Sequence, residues 1–214
     1  MGRRAGAPSK GDRREQALLD AAEVLLEQTG LERMTVDAIA RGAGISRGSM
    51  YFYFGSKHEV LAALVRRTVA EIRKEASITA DDLASSPVGA MERAVKSVEK
   101  MWRDHGTVMR AAVEYGTVHP EIGTAWDETV ELFTATMRGV LARAGVPDGD
   151  GPQEATALAR ALCWMTERTF YQASRSPGDQ LAQAAETSIE VWRRIMTAPA
   201  PPESRAGDAG ADSR

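Results

Sequence analysis

Thr35 to Lys57 read TVDAIARGAGISRGSMYFYFGSK. Val36, Ile39 and Ala40 fall at helical spacing, Gly42-Ala-Gly44 interrupts them, and a second short helical run follows from Ser46 to about Phe52. Thr35 and Ser46 are side chains that cap helix starts, and Ser56 opens a third run. Glycine at 44 can take a positive φ without a Cβ clash, so the connection can be tight and the second helix can stand at a steep angle. Val36, Ile39, Ala40, Ala43, Ile45, Met50 and Phe54 can all point inward. That leaves Arg47, Gly48, Ser49, Tyr51 and Phe52 facing out.

Each outward group suits a nucleic-acid duplex. Arg47 can donate two hydrogen bonds to guanine or pair with a phosphate. Gly48 permits close approach, and the Ser49 hydroxyl can reach a base edge or a phosphate. Tyr51 and Tyr53 offer phenol donors to phosphates. The helix starts at Thr35, Ser46 and Ser56-Lys57 present hydroxyls and backbone N–H groups that favour anions, and Lys57 adds a point charge. On pattern alone, the same stretch also reads as a structural helical hairpin with an ordinary tyrosine cluster.

Outward from this stretch the spacing stays helical. Residues 12–28 carry a stripe of Ala17, Leu18, Ala21, Ala22, Leu25 and Leu26, which Gly30 ends. A helix from Ser56 runs past Ile72. Amphipathic segments follow at about 87–103, 106–117, 121–144, 153–174 and 178–197, separated by His119-Pro120, Gly145-Val-Pro147 and Ser176-Pro177-Gly178. No run alternates apolar and polar residues as a half-buried strand would. The expectation is an all-α chain of about nine helices. Residues 1–11 form a basic arm expected to be disordered, 12–70 a helix-turn-helix head, 71–198 a larger helical domain, and 199–214 a disordered tail.

Composition narrows the function. Of 214 residues, 43% are hydrophobic, enough for a core. The net charge of −3 hides an asymmetry. Residues 1–14 hold five basic residues against one acidic, a balance of +4, so the other 200 carry −7. Cys163 is the single cysteine, which excludes an internal disulfide, and its expected role is that of a buried small hydrophobe. His58, His105 and His119 show no metal-ligand spacing, so no metal or cofactor is expected. There is no nucleophile motif and no dinucleotide loop, so the chain is not expected to be an enzyme. No apolar run approaches the ~18 residues of a membrane span, and the N-terminal stretch lacks a signal peptide's apolar middle. The expected location is the cytoplasm.

The run Gly42–Lys57, with Thr35-Val-x-x-Ile-Ala before it and Ala21-Ala22, Leu25 and Gly30 ahead of that, resembles the signature of the TetR family over about residues 12–70. The resemblance implies that Tyr51 and Lys57 contact phosphates and that Arg47 and Ser49 approach bases. It also implies that the C-terminal helices build a ligand cavity and a dimer interface. Phe52 departs from it by placing an apolar ring in a variable slot, suited to sugar or a thymine methyl. Tyr51-Phe-Tyr-Phe54, Trp126 and Met165-Thr-Glu-Arg-Thr169 are further similar to the ethionamide-resistance repressor subgroup, which implies an elongated, aromatic-lined cavity. Two asparagines of that subgroup are replaced here by Cys163 and Thr166.

The residues alone support a cavity independently. Trp126, Val130 and Phe133 share one helix face, Val98 and Trp102 another, and Cys163, Thr166 and Phe170 a third. Such stripes either line a mostly apolar cavity with a few polar anchors or simply fill the core. Leu158, Leu162 and Met165 with Leu181, Ala185, Ile189 and Trp192 are the expected dimer face. The function so implied is a DNA-binding repressor, dimeric on an inverted-repeat operator of double-stranded DNA and released by a small apolar ligand. The alternative is a DNA-binding regulator without an effector, its C-terminal domain only a dimer scaffold.

Overall fold

The computed structural model describes residues 9–80 and 86–197, except for the side chains of 72–80. The arm's first eight residues, and the tail from 198 on, lie outside the described residues. All described secondary structure is helical. In order the helices are α1 (Lys10–Arg33), α2 (Val36–Gly42), α3 (Arg47–Met50), α4 (Lys57–Ala80), α5 (Pro87–Asp104), α6 (Gly106–Tyr115), α7 (Pro120–Arg143), α8 (Ala155–Arg175) and α9 (Leu181–Thr197).

Helix α1 starts earlier than its apolar stripe, because Ser9 and Asp12 form a reciprocal cap. The Asp12 N–H donates to Ser9 Oγ at 3.1 Å and the Ser9 N–H to Asp12 Oδ2 at 2.8 Å. Leu18, Leu19, Ala22 and Leu26 are buried. Gly30, at φ 73°, breaks the helix where the sequence places its end, and one further turn follows to Arg33.

Helices α2 and α3 lie against α1. Thr35 Oγ1 accepts from the Ala38 N–H at 3.2 Å and Ser46 Oγ from the Ser49 N–H at 3.1 Å, the two caps expected. Gly44 sits at φ 68°, and the turn is closed by the Ile45 N–H donating to the Ala40 carbonyl at 3.0 Å. Gly42 has a second use that the sequence reading did not foresee. A Cβ there would lie 2.9 Å from the Cβ of Ala21, so glycine lets α2 close onto α1. Helix α3 is shorter than expected, ending at Met50. Residues 51–54 continue as tighter turns, the Tyr53 N–H reaching the Met50 carbonyl at 2.8 Å.

Helix α4 is the axis of the molecule. Val60, Leu61, Leu64, Val65 and Val69 are buried and belong to one continuous core that runs from α1 to α9. It packs against α1 on one side and α5, α6 and α7 on the other. Arg67 joins it to α1 through Asp20 at 2.5 Å and Glu23 at 2.7 Å, and Glu23 also meets His105, between α5 and α6, at 2.8 Å. The C-terminal helices pair mainly as α7 with α8 and α5 with α9.

The expected dimer face is redrawn. Leu162, Ala185, Ile189 and Trp192 are buried within their own chain. An α-helix in a bundle can carry two apolar stripes, and these four lie on the inner one. Leu158, Met165 and Leu181 are only half-buried, as are Trp164, Val191 and Ile195.

Candidate DNA interface and ligand cavity

The two short helices hold an exposed polar face. Arg47 is largely exposed, with Nη1 3.1 Å from Asp37 Oδ2 on α2 and Nη2 3.2 Å from the Tyr51 hydroxyl; its guanidinium lies over the Tyr51 ring. Tyr51 is 47% and Phe52 88% exposed, so the α3 turn presents two bare rings beside the arginine. Gly48 is exposed, and a Cβ there would meet little, so its surface is open to close approach. Ser49 is half-buried and its hydroxyl lies 2.8 Å from that of the capping Ser46. Tyr53 is half-buried and packs on the core. Thr35 is exposed.

Lys57 faces inward to the helix ends rather than outward. Its ammonium donates to the carbonyls of Leu31 at 2.8 Å and Glu32 at 3.1 Å, at the C-terminus of α1. A cation there satisfies carbonyls that a helix end leaves open, and one of its three N–H donors remains. The α4 start is likewise capped from within. Ser56 Oγ accepts from the Glu59 N–H and Glu59 Oε2 from the Gly55 N–H, at 3.1 and 2.8 Å.

The apolar stripes of the larger part do meet. Val98 and Trp102 from α5, Trp126, Val130 and Phe133 from α7, and Cys163 and Thr166 from α8 line one cavity. The cavity is narrow, with a volume of about 60 Å³. Trp102 and Trp126 meet edge to face, with ring centroids 6.3 Å apart. Phe170 stands outside the wall, fully buried in the core one turn beyond Thr166.

Trp192 and Glu167 are among the wall residues not foreseen in that role. Trp192 crosses from α9 and donates its indole N–H to Thr166 Oγ1 at 3.1 Å. Glu167 is a buried cavity-wall residue, and neither carboxylate oxygen has a hydrogen-bond partner. Arg168 Nε is 3.8 Å away, 57% exposed, and its guanidinium lies over the Tyr171 ring. Burial pushes the Glu167 carboxyl above its ordinary range, with Arg168 opposing. The sequence did carry a signal: 167 is four residues after Cys163, an acid within an apolar stripe. Burial also pushes the Cys163 thiol up to about 11, so it is a packed thiol, not a thiolate.

Residues 18–64 match the family of bacterial regulatory proteins called tetR, and residues 91–197 match the C-terminal domain of the transcriptional regulator EthR. The chain belongs to the TetR family.

Among TetR-family relatives, the HTH-type transcriptional regulator EthR of Mycobacterium tuberculosis is 34% identical, with 89% of this chain and 90% of that protein covered. Two solved structures share the fold. A transcriptional regulator from Saccharomonospora viridis, in complex with choline, has a TM-score of 0.69 at 18% identity, covering 86% of this chain and 97% of the other. Thermus thermophilus FadR, a TetR-family repressor in complex with lauroyl-CoA, has a TM-score of 0.68 at 20% identity, covering 88% and 99%. The TetR-family relatives named here are transcriptional regulators. Every cavity-wall residue of this chain lies inside the segment matched to the EthR C-terminal domain.

The TetR-type head meets the rest at a histidine pair that local spacing could not show. His58, in the first turn of α4, stacks on His119, just before α7, at 3.6 Å between centroids; Glu121 Oε1 lies 3.8 Å from His58 Nδ1. Burial and the facing His119 lower the His58 pKa, so the His58 ring favours its neutral form. Among the described residues no helix is long and apolar enough to cross a membrane.

Proposed function

We propose that this TetR-family regulator is a cytoplasmic repressor that leaves its DNA when a small, largely apolar ligand enters the cavity. Residues 12–70 form the DNA-binding head and 71–198 the ligand and dimer domain. The observation that carries this is the cavity itself. It is walled by α5, α7, α8 and α9, and α4 joins two of those helices to the head. The solved neighbours hold ligands of differing chemistry in complexes of the same fold.

In the head, Arg47 and Ser49 approach base edges while Tyr51, Tyr53, Thr35 and Ser46 meet phosphates around them. Gly48 allows close contact, and Phe52 covers sugar or a thymine methyl. Lys57 braces the α1–α4 junction and offers its remaining N–H to a phosphate. Two heads must enter successive major grooves roughly 34–36 Å apart, which calls for a homodimer on an inverted repeat. The half-buried apolar residues on the outer face of α8 and α9 supply its interface. A ligand that fits better when the α5 and α7 walls part favours one tilt of α4, and DNA selects the other.

Enrichment of random double-stranded DNA by the purified protein tests the DNA half. An inverted repeat is expected, and enrichment of single half-sites would remove the symmetric dimer. Release from the enriched site by apolar ligands tests the other half. A second reading, a scaffold with no effector, is favoured by how narrow the cavity is. In that case no ligand raises the melting temperature.

A further inference from the structure

We propose that the cavity takes an apolar organic cation, an alkyl- or arylalkylammonium, whose N–H groups are received by Glu167. This rests on the cavity being a ligand site. Three features of the wall point to it.

The first is the orphaned carboxyl. The Glu167 side chain is 6% exposed, and both of its oxygens are buried without a hydrogen-bond partner. A buried charge is tolerated when a partner or a ligand meets it. Arg168 does this poorly, at 3.8 Å and from the solvent side.

The second is that neighbouring polar wall groups are already engaged. Thr166 Oγ1 accepts from Trp192, and the Thr129 hydroxyl donates to the Ala125 carbonyl at 2.8 Å. Each of those hydroxyls already has one partner, so the wall's wholly unpartnered acceptors are the two Glu167 oxygens. An ammonium brings up to three N–H donors, and a carboxylate offers about four lone-pair sites. An alcohol brings one donor, and a carboxylate brings none.

The third is the aromatic setting. Trp102, Trp126 and Trp192 stand in the same wall, and indole faces attract cations. Because burial favours the protonated carboxyl, entry of an ammonium releases that proton to water and leaves an ion pair in its place. The apolar chain of the ligand then lies along Val98, Val130 and Phe133.

Octylamine, octanol and octanoate differ at the head group alone and serve as probes at neutral pH. Titration calorimetry together with tryptophan fluorescence reads their binding. Octylamine is expected to bind about tenfold or more tighter than octanol, with octanoate weakest, as for a buried charge-assisted hydrogen bond. Glu167→Gln is expected to erase the preference for the amine and to keep octanol binding. Equal or tighter binding of octanol by the unaltered protein overturns the role of Glu167 and leaves the cavity reading standing. Persistence of the amine preference in Glu167→Gln does the same. Binding of none of the three, with tryptophan emission unmoved, overturns both readings. The comparison of amine with alcohol needs no variant, so it decides the matter even if Glu167→Gln fails to fold.

Discussion

Arg47 and Glu167 are both ionisable groups at the two proposed functional surfaces, and they are kept in opposite ways. Arg47 stands in solvent and has two protein partners, Asp37 and Tyr51. Glu167 is buried and has no hydrogen-bond partner. Water screens the first pair, so its partners can be exchanged for phosphate or base at small cost. No water covers the second, so its missing partner is a standing penalty that a ligand can remove. On the proposed function, the α3 face would trade contacts and the cavity would acquire one.

The largest effect expected from breaking this contrast lies in the buried half. Phe170 is fully buried outside the cavity wall, whereas Phe133 is half-buried on it. Phe170→Ala should lower unfolding stability by about 3–5 kcal/mol. Phe133→Ala should cost about 1 kcal/mol or less, because its cavity side has no packing to lose. Denaturant midpoints of the two variants check this, and equal losses would show that Phe133 is core and the cavity closed in solution.

Next comes the exposed half. Arg47→Ala should weaken the enriched DNA site about tenfold or more while affecting random DNA less, because a base contact carries specificity. Tyr51→Phe should weaken both alike. Lys57→Ala should do so too, and should also lower the melting temperature, since its ammonium closes the α1 carbonyls. Competition binding on specific and random DNA separates these outcomes. Equal losses for Arg47→Ala would make it a phosphate contact.

These two halves were not equally legible. Capping, turn and stripe signals are local, so the caps at Thr35, Ser46 and Ser56, the turn at Gly44 and the outward ring of Phe52 could be read directly. The cavity stripes could be read too, because α5, α7 and α8 each present their wall residues at helical spacing. What could not be read depends on which helix faces which. Gly42 against Ala21, Lys57 on the α1 carbonyls and His58 on His119 are meetings between elements with no pattern along the chain. Leu162, Ala185, Ile189 and Trp192 turn inward for the same reason, since spacing alone does not say which way a stripe faces. Glu167 lay between, a visible acid in an apolar stripe whose lack of a partner required the fold.

Glu167 also sets a pH dependence. Its native pKa is raised above the ordinary 4.5, so the folded protein holds a proton that the unfolded chain has lost. Its contribution to stability is then full below that ordinary value and is lost as pH rises through the native one. As pH rises from that ordinary value through the native one, the unfolding free energy should fall further than in Glu167→Gln. Thermal melts across that range measure it, and parallel curves for the two proteins would mean that water or Arg168 already satisfies the carboxyl.

The turn between the short helices offers a smaller effect. Gly44 at φ 68° has open space around it, so a methyl there meets no neighbour and only the backbone is strained. Gly44→Ala should cost about 1–2 kcal/mol. It should weaken DNA binding little, provided α3 is held by Met50 and Phe54. Loss of binding without loss of stability would mean that the turn, not the core beneath, sets the angle of α3.

The smallest effect tests whether the surface pair really trades its contacts. Asp37 holds Arg47 at 3.1 Å, and its side chain is 51% exposed. Asp37→Asn should therefore tighten DNA binding by a few-fold at low salt, since no ion pair has to open and a negative charge is gone. The gain should shrink as salt screens it. Asp37 also lies in the first turn of α2, where a carboxylate favours the helix, so the same change should lower thermal stability slightly. A loss of affinity instead would mean that Asp37 aims Arg47 at its base before DNA arrives. The exposed pair would then resemble the buried carboxyl more than it differs from it, each being arranged in advance for a partner.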